Sequence, residues 1–433
     1  MPKKQTSPQL VLDLRSLPGP ENITRRELSN GLVVLVRENF TSPSVVIDGD
    51  LRVGALWTPP EKAGLSGFTA SALMRGTERY TFAEIYEQIE AVGAGLFISG
   101  GTHTTGLHGK ALAEDLPRLL DMAAEALRRP VFPEEQIERL RGEILTHLAI
   151  RDNDTGSRAQ EAFYQLAYPD HPYRIDEDGY PETVPTITRD DLREFHRQGY
   201  GPRGMILTIV GAVHAEEALA LVEKYFGDWT NPTQRPEPPL PVVARPTGAL
   251  VKRVPLAGKF QCDVVLGVPG PARAHPHFLA ARLGNSILGT FGMGGRIGKQ
   301  VREKSGMAYY AASSLEGGLG PGPWYAYAGV NPQNVERAVA LIQNEIKKFV
   351  GRKVTADELA DNQAYFIGRL PLGLETNEGV AGSLGSLELH QLGLDYLQRY
   401  PALIQAITRE EVLAVTQEFL SADRYALAIA GPE

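Results

Sequence analysis

Cysteine is almost absent: Cys262 stands alone among 433 residues, which excludes an intrachain disulfide and any multi-cysteine metal site. No apolar run reaches the 18 residues or so that would read as a membrane-spanning helix, so no membrane span is predicted. Basic runs are missing as well. Lys and Arg number 44 against 52 Asp and Glu, a formal net charge of −8. Phosphate binding needs a concentrated basic face, so nucleic acid is not a predicted partner. The nine histidines include no pair at i, i+4, and neither a Gly-x-Ser-x-Gly elbow nor a phosphate-binding glycine loop is present. Residues 1–7 are basic, but the apolar stretch at 10–14 is broken by Asp13 and is too short for a signal core. The chain therefore reads as soluble, cytoplasmic or periplasmic, with the compartment left open.

What is present is an ordinary globular composition, 42% hydrophobic and 22% charged, in a chain long enough for roughly two to four domains with substantial cores. Residues 231–247 hold six prolines and little apolar periodicity, the pattern of a stiff linker. They divide the chain into a first domain at 20–230 and a second at 248–433. The two parts repeat each other. Ile187-Thr188-Arg189-Asp190-Asp191-Leu192 returns 220 residues later as Ile407-Thr408-Arg409-Glu410-Glu411-Val412, and Leu207-Thr208-Ile209-Val210-Gly211 returns as Leu427-Ala428-Ile429-Ala430-Gly431. Each copy reads as a Thr N-cap, acidic residues in a first helical turn, then an apolar strand ending in Gly.

The amphipathic stretch 114–128 repeats at 334–348 with the same offset, so two copies of one unit are the economical reading. In the first copy, strands at 24–28 and 32–37 flank Ser29-Asn30-Gly31, a hairpin signal. A second pair is predicted at 96–99 and 102–108, which would set His103 and His108 on opposite faces of one strand. Helices are predicted at 64–75, 82–92, 115–129 and 134–149. In the second copy, a short helix over 295–305 stopped by Gly306 leads into strands at 307–314 and 324–330. Strands grouped as hairpins with helices between the groups predict an α+β fold: two homologous domains, each a mainly antiparallel sheet with helices packed on one face.

Two segments resemble the pitrilysin and mitochondrial processing peptidase superfamily of zinc peptidases. Asn285-Ser286-Ile287-Leu288-Gly289, a glycine-rich turn, and Val301-Arg302-Glu303-Lys304-Ser305-Gly306-Met307-Ala308-Tyr309 are similar to that family's second domain, where an Arg and a Tyr seven residues apart contact substrate. Arg302 and Tyr309 match the pair. Gly64-Leu65 and Gly76-Thr77 frame a segment similar to the family's zinc helix, and Tyr168-Pro169-Asp170-His171-Pro172-Tyr173 also fits, so the resemblance covers nearly the whole chain. The zinc motif itself is missing. His-x-x-Glu-His on a helix sets two imidazoles on one face with a Glu between them to act on metal-bound water. The matching positions are Gly67, Ala70 and Ser71, and the third ligand position falls on Thr146 or His147.

The resemblance therefore implies a chain that keeps the substrate-contacting pair and carries neither metal nor cofactor. An Arg and a Tyr are donors, not bases; they suit holding peptide carbonyls or a developing oxyanion. The implied function is the non-catalytic subunit of a heterodimeric zinc metalloendopeptidase, inactive alone. Its partner would be a homologous zinc-bearing subunit, its ligand a peptide substrate, with zinc expected in the partner. The alternative is a purely structural, core-type subunit with no peptidase role. An independent peptidase with an unfamiliar centre is disfavoured by the lack of clustered ligands.

Overall fold

The computed structural model describes residues 16–432; the stretch at 1–14 read above for a signal core lies outside them. The first hairpin forms where expected, β1 (Thr24–Glu27) antiparallel to β2 (Val33–Glu38). With β3 (Ser44–Leu51), β4 (Gly95–Gly100), β5 (Thr105–Leu112) and β6 (Ile206–Gly211) it makes a sheet ordered β1-β2-β6-β3-β5-β4. The second half builds β7 (Ala249–Pro255), β8 (Cys262–Pro269), β9 (Ala308–Leu315), β10 (Pro323–Val330) and β11 (Tyr425–Gly431) into a sheet ordered β7-β11-β8-β10-β9. Leaving out β1, the orders correspond strand for strand. In each sheet the terminal pair, β2/β6 or β7/β11, is parallel and the rest are antiparallel. The duplication seen in the sequence is thus a duplication of topology.

Most of the helices repeat as well, α7 and α13 being without counterparts. The first half has α1 (Leu65–Ala72), α2 (Phe82–Glu90), α3 (Leu116–Arg128), α4 (Glu134–Asp152), α5 (Thr155–Ala167), α6 (Arg189–Gly199) and α7 (Ala215–Phe226). The second has α8 (Phe278–Asn285), α9 (Gly295–Gly298), α10 (Val335–Gly351), α11 (Ala356–Gly373), α12 (Asn377–Leu389), α13 (Tyr396–Ala406) and α14 (Arg409–Phe419). The repeated Thr residues do cap: Thr188 accepts from Asp191 N at 3.2 Å and Thr408 from Glu411 N at 3.1 Å, each inside a capping box. Such a cap stabilises its helix by about 1 kcal/mol.

One helix of each half crosses to the other. Along β6 every residue is buried, because its two faces belong to different cores. Leu207 and Ile209 pack among the helices of their own half. Ile206 and Val210 join Leu35 and Val46 in the second half's core, where α12 supplies Val380 and Leu384. Reciprocally, α5 lays Ala159, Ala162 and Phe163 on Ala426, Ala428 and Ala430 of β11. Each sheet therefore carries its own helices on one face and a single helix from the opposite half on the other. Small residues on both sides of the α5 contact let helix and sheet approach closely.

One strand differs from expectation. Residues 101–104 turn, and β5 begins only at Thr105. His103 and His108 thus do not share a strand. His103 sits in the turn with Nε2 at 2.5 Å from the Tyr173 hydroxyl, and His108 on β5 bonds Asp48 at 2.7 Å. Among the described residues no helix is long and apolar enough to cross a membrane.

Candidate functional site

The segment matching the family's zinc helix folds as α1, entered from Gly64. Gly67 is packed from two sides. A Cβ on Gly100, at the end of β4, would lie 2.9 Å from the Gly67 Cα, and a Cβ on Gly67 would lie 3.3 Å from the Glu177 carbonyl oxygen. Ala70 is fully buried, whereas Ser71 is exposed. On α4, Thr146 and His147 are both exposed; the Thr146 hydroxyl bonds back to the Gly142 carbonyl at 2.8 Å. The small side chains here serve close packing of helix, strand and the 176–179 loop.

Arg302 lies where the short helix after the glycine-rich bend ends. Gly292, Gly294 and Gly295 turn the chain into α9, which continues as a wider π-helical turn, Lys299–Lys304. Gly306, at φ +63°, stops it in the left-handed conformation that a side chain would oppose. Arg302 is exposed, and its guanidinium has neither a hydrogen bond nor an ion pair among the described residues. It forms part of the wall of an open groove of about 830 Å³. Tyr309, 70% exposed, also lacks a partner. The register of β9 against β10 shifts there, pairing Tyr310 with Gly329 and Ala308 with Val330 and leaving Tyr309 without an opposite residue. Such a bulge re-aims side chains at a sheet margin.

The residue that lines the groove beside Arg302 is Tyr310, which sequence reasoning missed. Its hydroxyl donates to Asp263, a carboxylate only 4% exposed that also accepts from Thr155 at 2.5 Å and Gln261 at 3.0 Å. Burial, then the Asp263 carboxylate, push the Tyr310 phenol well above its ordinary range, so it stays protonated. The signal was available: Asp263 interrupts an otherwise apolar strand, and buried carboxylates require donors. Tyr327, 6.0 Å from Tyr310 between ring centroids, and then Tyr325, 5.9 Å further, extend an aromatic floor. Gly156, Ser157 and Gln160 of the crossing helix α5 and its first turn close the other side. The groove therefore combines residues of both halves, with a free guanidinium on its wall, a strand edge nearby and a polar aromatic base. That arrangement offers donors to an extended backbone, and its carboxylate, Asp263, is buried beneath the hydroxyls and amide it accepts from.

Residues 186–365 match the family model described as "Peptidase M16 inactive domain", and residues 33–175 match the one described as "Insulinase (Peptidase family M16)". The chain belongs to peptidase family M16, the pitrilysin and mitochondrial processing peptidase superfamily. Among the relatives of this M16 chain, an uncharacterized zinc protease of Streptomyces coelicolor is 27% identical over 96% of this chain and 90% of its own length. The uncharacterized zinc protease YmxG of Bacillus subtilis is 22% identical, covering 95% and 98%. Among solved structures, a peptidase M16 inactive domain from Pseudomonas fluorescens has a TM-score of 0.87 at 24% identity, covering 95% of this chain and 98% of that one. A protease from Helicobacter pylori also reaches 0.87, at 21% identity and with 96% and 100% covered.

The M16 relatives named as zinc proteases raise the question whether α1 fits a metal. It does not. Gly67 and Ala70 offer no donor atom, and no group of three His, Cys, Asp or Glu side chains at metal-holding distance occurs among the described residues. Elemental analysis of the purified M16 chain is expected to give far less than one zinc per chain after dialysis. One tightly held zinc per chain would overturn this reading of α1.

The helix carrying Arg302 is itself clamped. Arg296 of α9 makes a two-pronged contact with Glu358, Nε to Oε1 at 2.7 Å and Nη2 to Oε2 at 2.6 Å, and Glu358 also caps α11 through the Thr355 backbone. Burial pushes the Glu358 carboxyl up, but the Arg296 fork and the cap outweigh it and hold the group at about 2, against an ordinary 4.5. A depressed folded value stabilises the fold above pH 4.5, and the contribution is lost as pH falls toward 2. Glu358→Gln should remove that contribution and flatten the acid limb of the urea midpoint over this window. An acid limb identical to that of the parent would show that the clamp contributes nothing.

Proposed function

We propose that this M16 chain is the non-catalytic member of a heterodimeric zinc metalloendopeptidase. The observation that supports it is a guanidinium, Arg302, standing without a partner among the described residues at an open groove, in a chain whose α1 offers no metal-ligand set. Leaving an arginine unpaired on a structured helix end gains nothing for stability; a ligand that pairs with it explains the arrangement. The partner would carry the His-x-x-Glu-His helix, and its zinc would supply the activated water. This chain's own part is to hold. Arg302 and the Tyr309 hydroxyl donate to carbonyl oxygens of the bound peptide and to the oxyanion that develops at the attacked carbonyl.

A substrate strand has an edge to join, because β9 is the last strand of the second sheet and Tyr309 lies on it. Strand addition draws affinity from main-chain hydrogen bonds, so side-chain preference in the substrate would be broad.

The test is assembly with a companion of similar length bearing His-x-x-Glu-His. Co-expressed, the two should elute together at equal stoichiometry, with zinc confined to the companion. Separate elution at micromolar concentration, or copurification with a membrane redox assembly instead, would sink the proposal.

A further inference from the structure

The duplication gives the second half a counterpart of the cleft between α4 and α5. There α11 and α12 stand in for α4 and α5, and together with α13 they bound a groove of about 650 Å³. The two clefts differ in charge. Glu161, Asp176, Glu177, Asp178 and Glu316 line the first against Arg151 and Arg174, so carboxylates predominate there. In the second, Glu378 is the one carboxylate on the wall, and it is already paired with Lys110.

Three arginines face this second groove, and each sits against an aromatic ring. The Arg273 Cζ lies 4.9 Å from the Phe278 centroid, Arg282 5.4 Å from Phe366 and Arg369 5.9 Å from Tyr365. Arg273 donates to the Tyr396 hydroxyl at 2.8 Å and Arg369 to the Tyr365 hydroxyl at 3.0 Å. None of the three pairs with a carboxylate among the described residues. In a chain of net charge −8, three arginines without a paired carboxylate among the described residues concentrate positive charge along one groove. A guanidinium resting on a ring has its plane fixed, and one N–H given to a tyrosine hydroxyl leaves the other donors available to a carboxylate. Between the arginines the surface is apolar, with Phe366, Leu370 and Leu397 on the wall.

We propose that this groove binds an acidic, partly apolar polypeptide segment of a partner protein. Its carboxylates would be taken by Arg273, Arg282 and Arg369, and its apolar side chains would lie on the floor between them. The apolar content of the groove favours such a segment over a phosphate-rich ligand, which would gain nothing from Phe366 and Leu370. The proposal stands independently of the peptidase reading, because the groove includes neither Arg302 nor Tyr309.

The test uses the full chain alone and a fluorescein-labelled peptide of about nine residues alternating Glu with Leu or Phe, read by anisotropy. This peptide should bind roughly tenfold or more tighter than the same peptide with Lys in place of Glu. Affinity should fall as NaCl rises from about 50 to about 300 mM. The double variant Arg282→Gln, Arg369→Gln changes exposed side chains only, and should weaken binding roughly tenfold or more, whereas Arg118→Gln, an exposed arginine of α3 outside both grooves, should leave it unaltered. Equal binding of the Lys peptide, indifference to the double variant, or tripolyphosphate binding more tightly than the Glu peptide would each overturn the proposal.

Discussion

Changing Arg302 to Gln is expected to lower kcat/KM of the proposed two-subunit peptidase by about 100-fold while leaving assembly and folding as they were. The size follows from what one well-placed donor contributes to a developing oxyanion in a water-poor site, about 3 kcal/mol. The separation of activity from stability follows from the structure. Arg302 is exposed and pairs with no acidic group among the described residues, so its loss leaves no buried charge behind. Tyr309→Phe removes a single neutral donor and should cost less, about tenfold. Tyr310→Phe behaves in the opposite manner: it strips a donor from buried Asp263 and should lower stability more than turnover. A mixed enzyme with Arg302→Gln that turns over peptide at the parent rate would remove Arg302 from the mechanism.

The second large effect concerns the exchange of helices. Phe163 is fully buried on α5, a first-half helix, yet packs against Tyr325 of the second sheet with ring centroids 5.6 Å apart. Phe163→Ala deletes an aromatic ring from a site rigid on both sides and should cost about 3–5 kcal/mol. Because α5 covers β11 and α12 covers β6, neither half retains a covered sheet when the other unfolds. Urea unfolding should therefore remain one transition, shifted to lower denaturant, whether followed in the first half or the second. A loss below about 1 kcal/mol, or two separated transitions with only one of them moved, would mean that the halves are energetically independent.

The repeating parts were the legible ones. Thr188 and Thr408 announced their helices because a cap and its acidic third residue are local, and the Ser29-Asn30-Gly31 hairpin is likewise set by a few neighbouring residues. Gly306 stops its helix for the same reason. The exchange of α5 and α12 was not legible, since the apolar stripe of a helix states that it will be buried and not against which sheet. Only the match of small residues, Ala159 and Ala162 against Ala426 and Ala428, could have hinted at it. At the groove, Arg302 and Tyr309 were singled out only through the resemblance to a family; Arg302 lies on the wall and Tyr309 does not, because the bulge that leaves Tyr309 unpaired and brings Tyr310 to the wall depends on the register of β9 against β10. Register is a property of two strands and is invisible in either one.

If grip resides in this chain and the metal in another, cleavage requires both. The most direct measurement is a titration of a fixed amount of zinc-bearing companion with this chain, following cleavage of a quenched fluorescent peptide. The account predicts negligible cleavage by either protein alone, with activity rising to a plateau at one to one and abolished by a chelator. Full activity of the companion without this chain, or cleavage by this chain alone that survives the chelator, would contradict it.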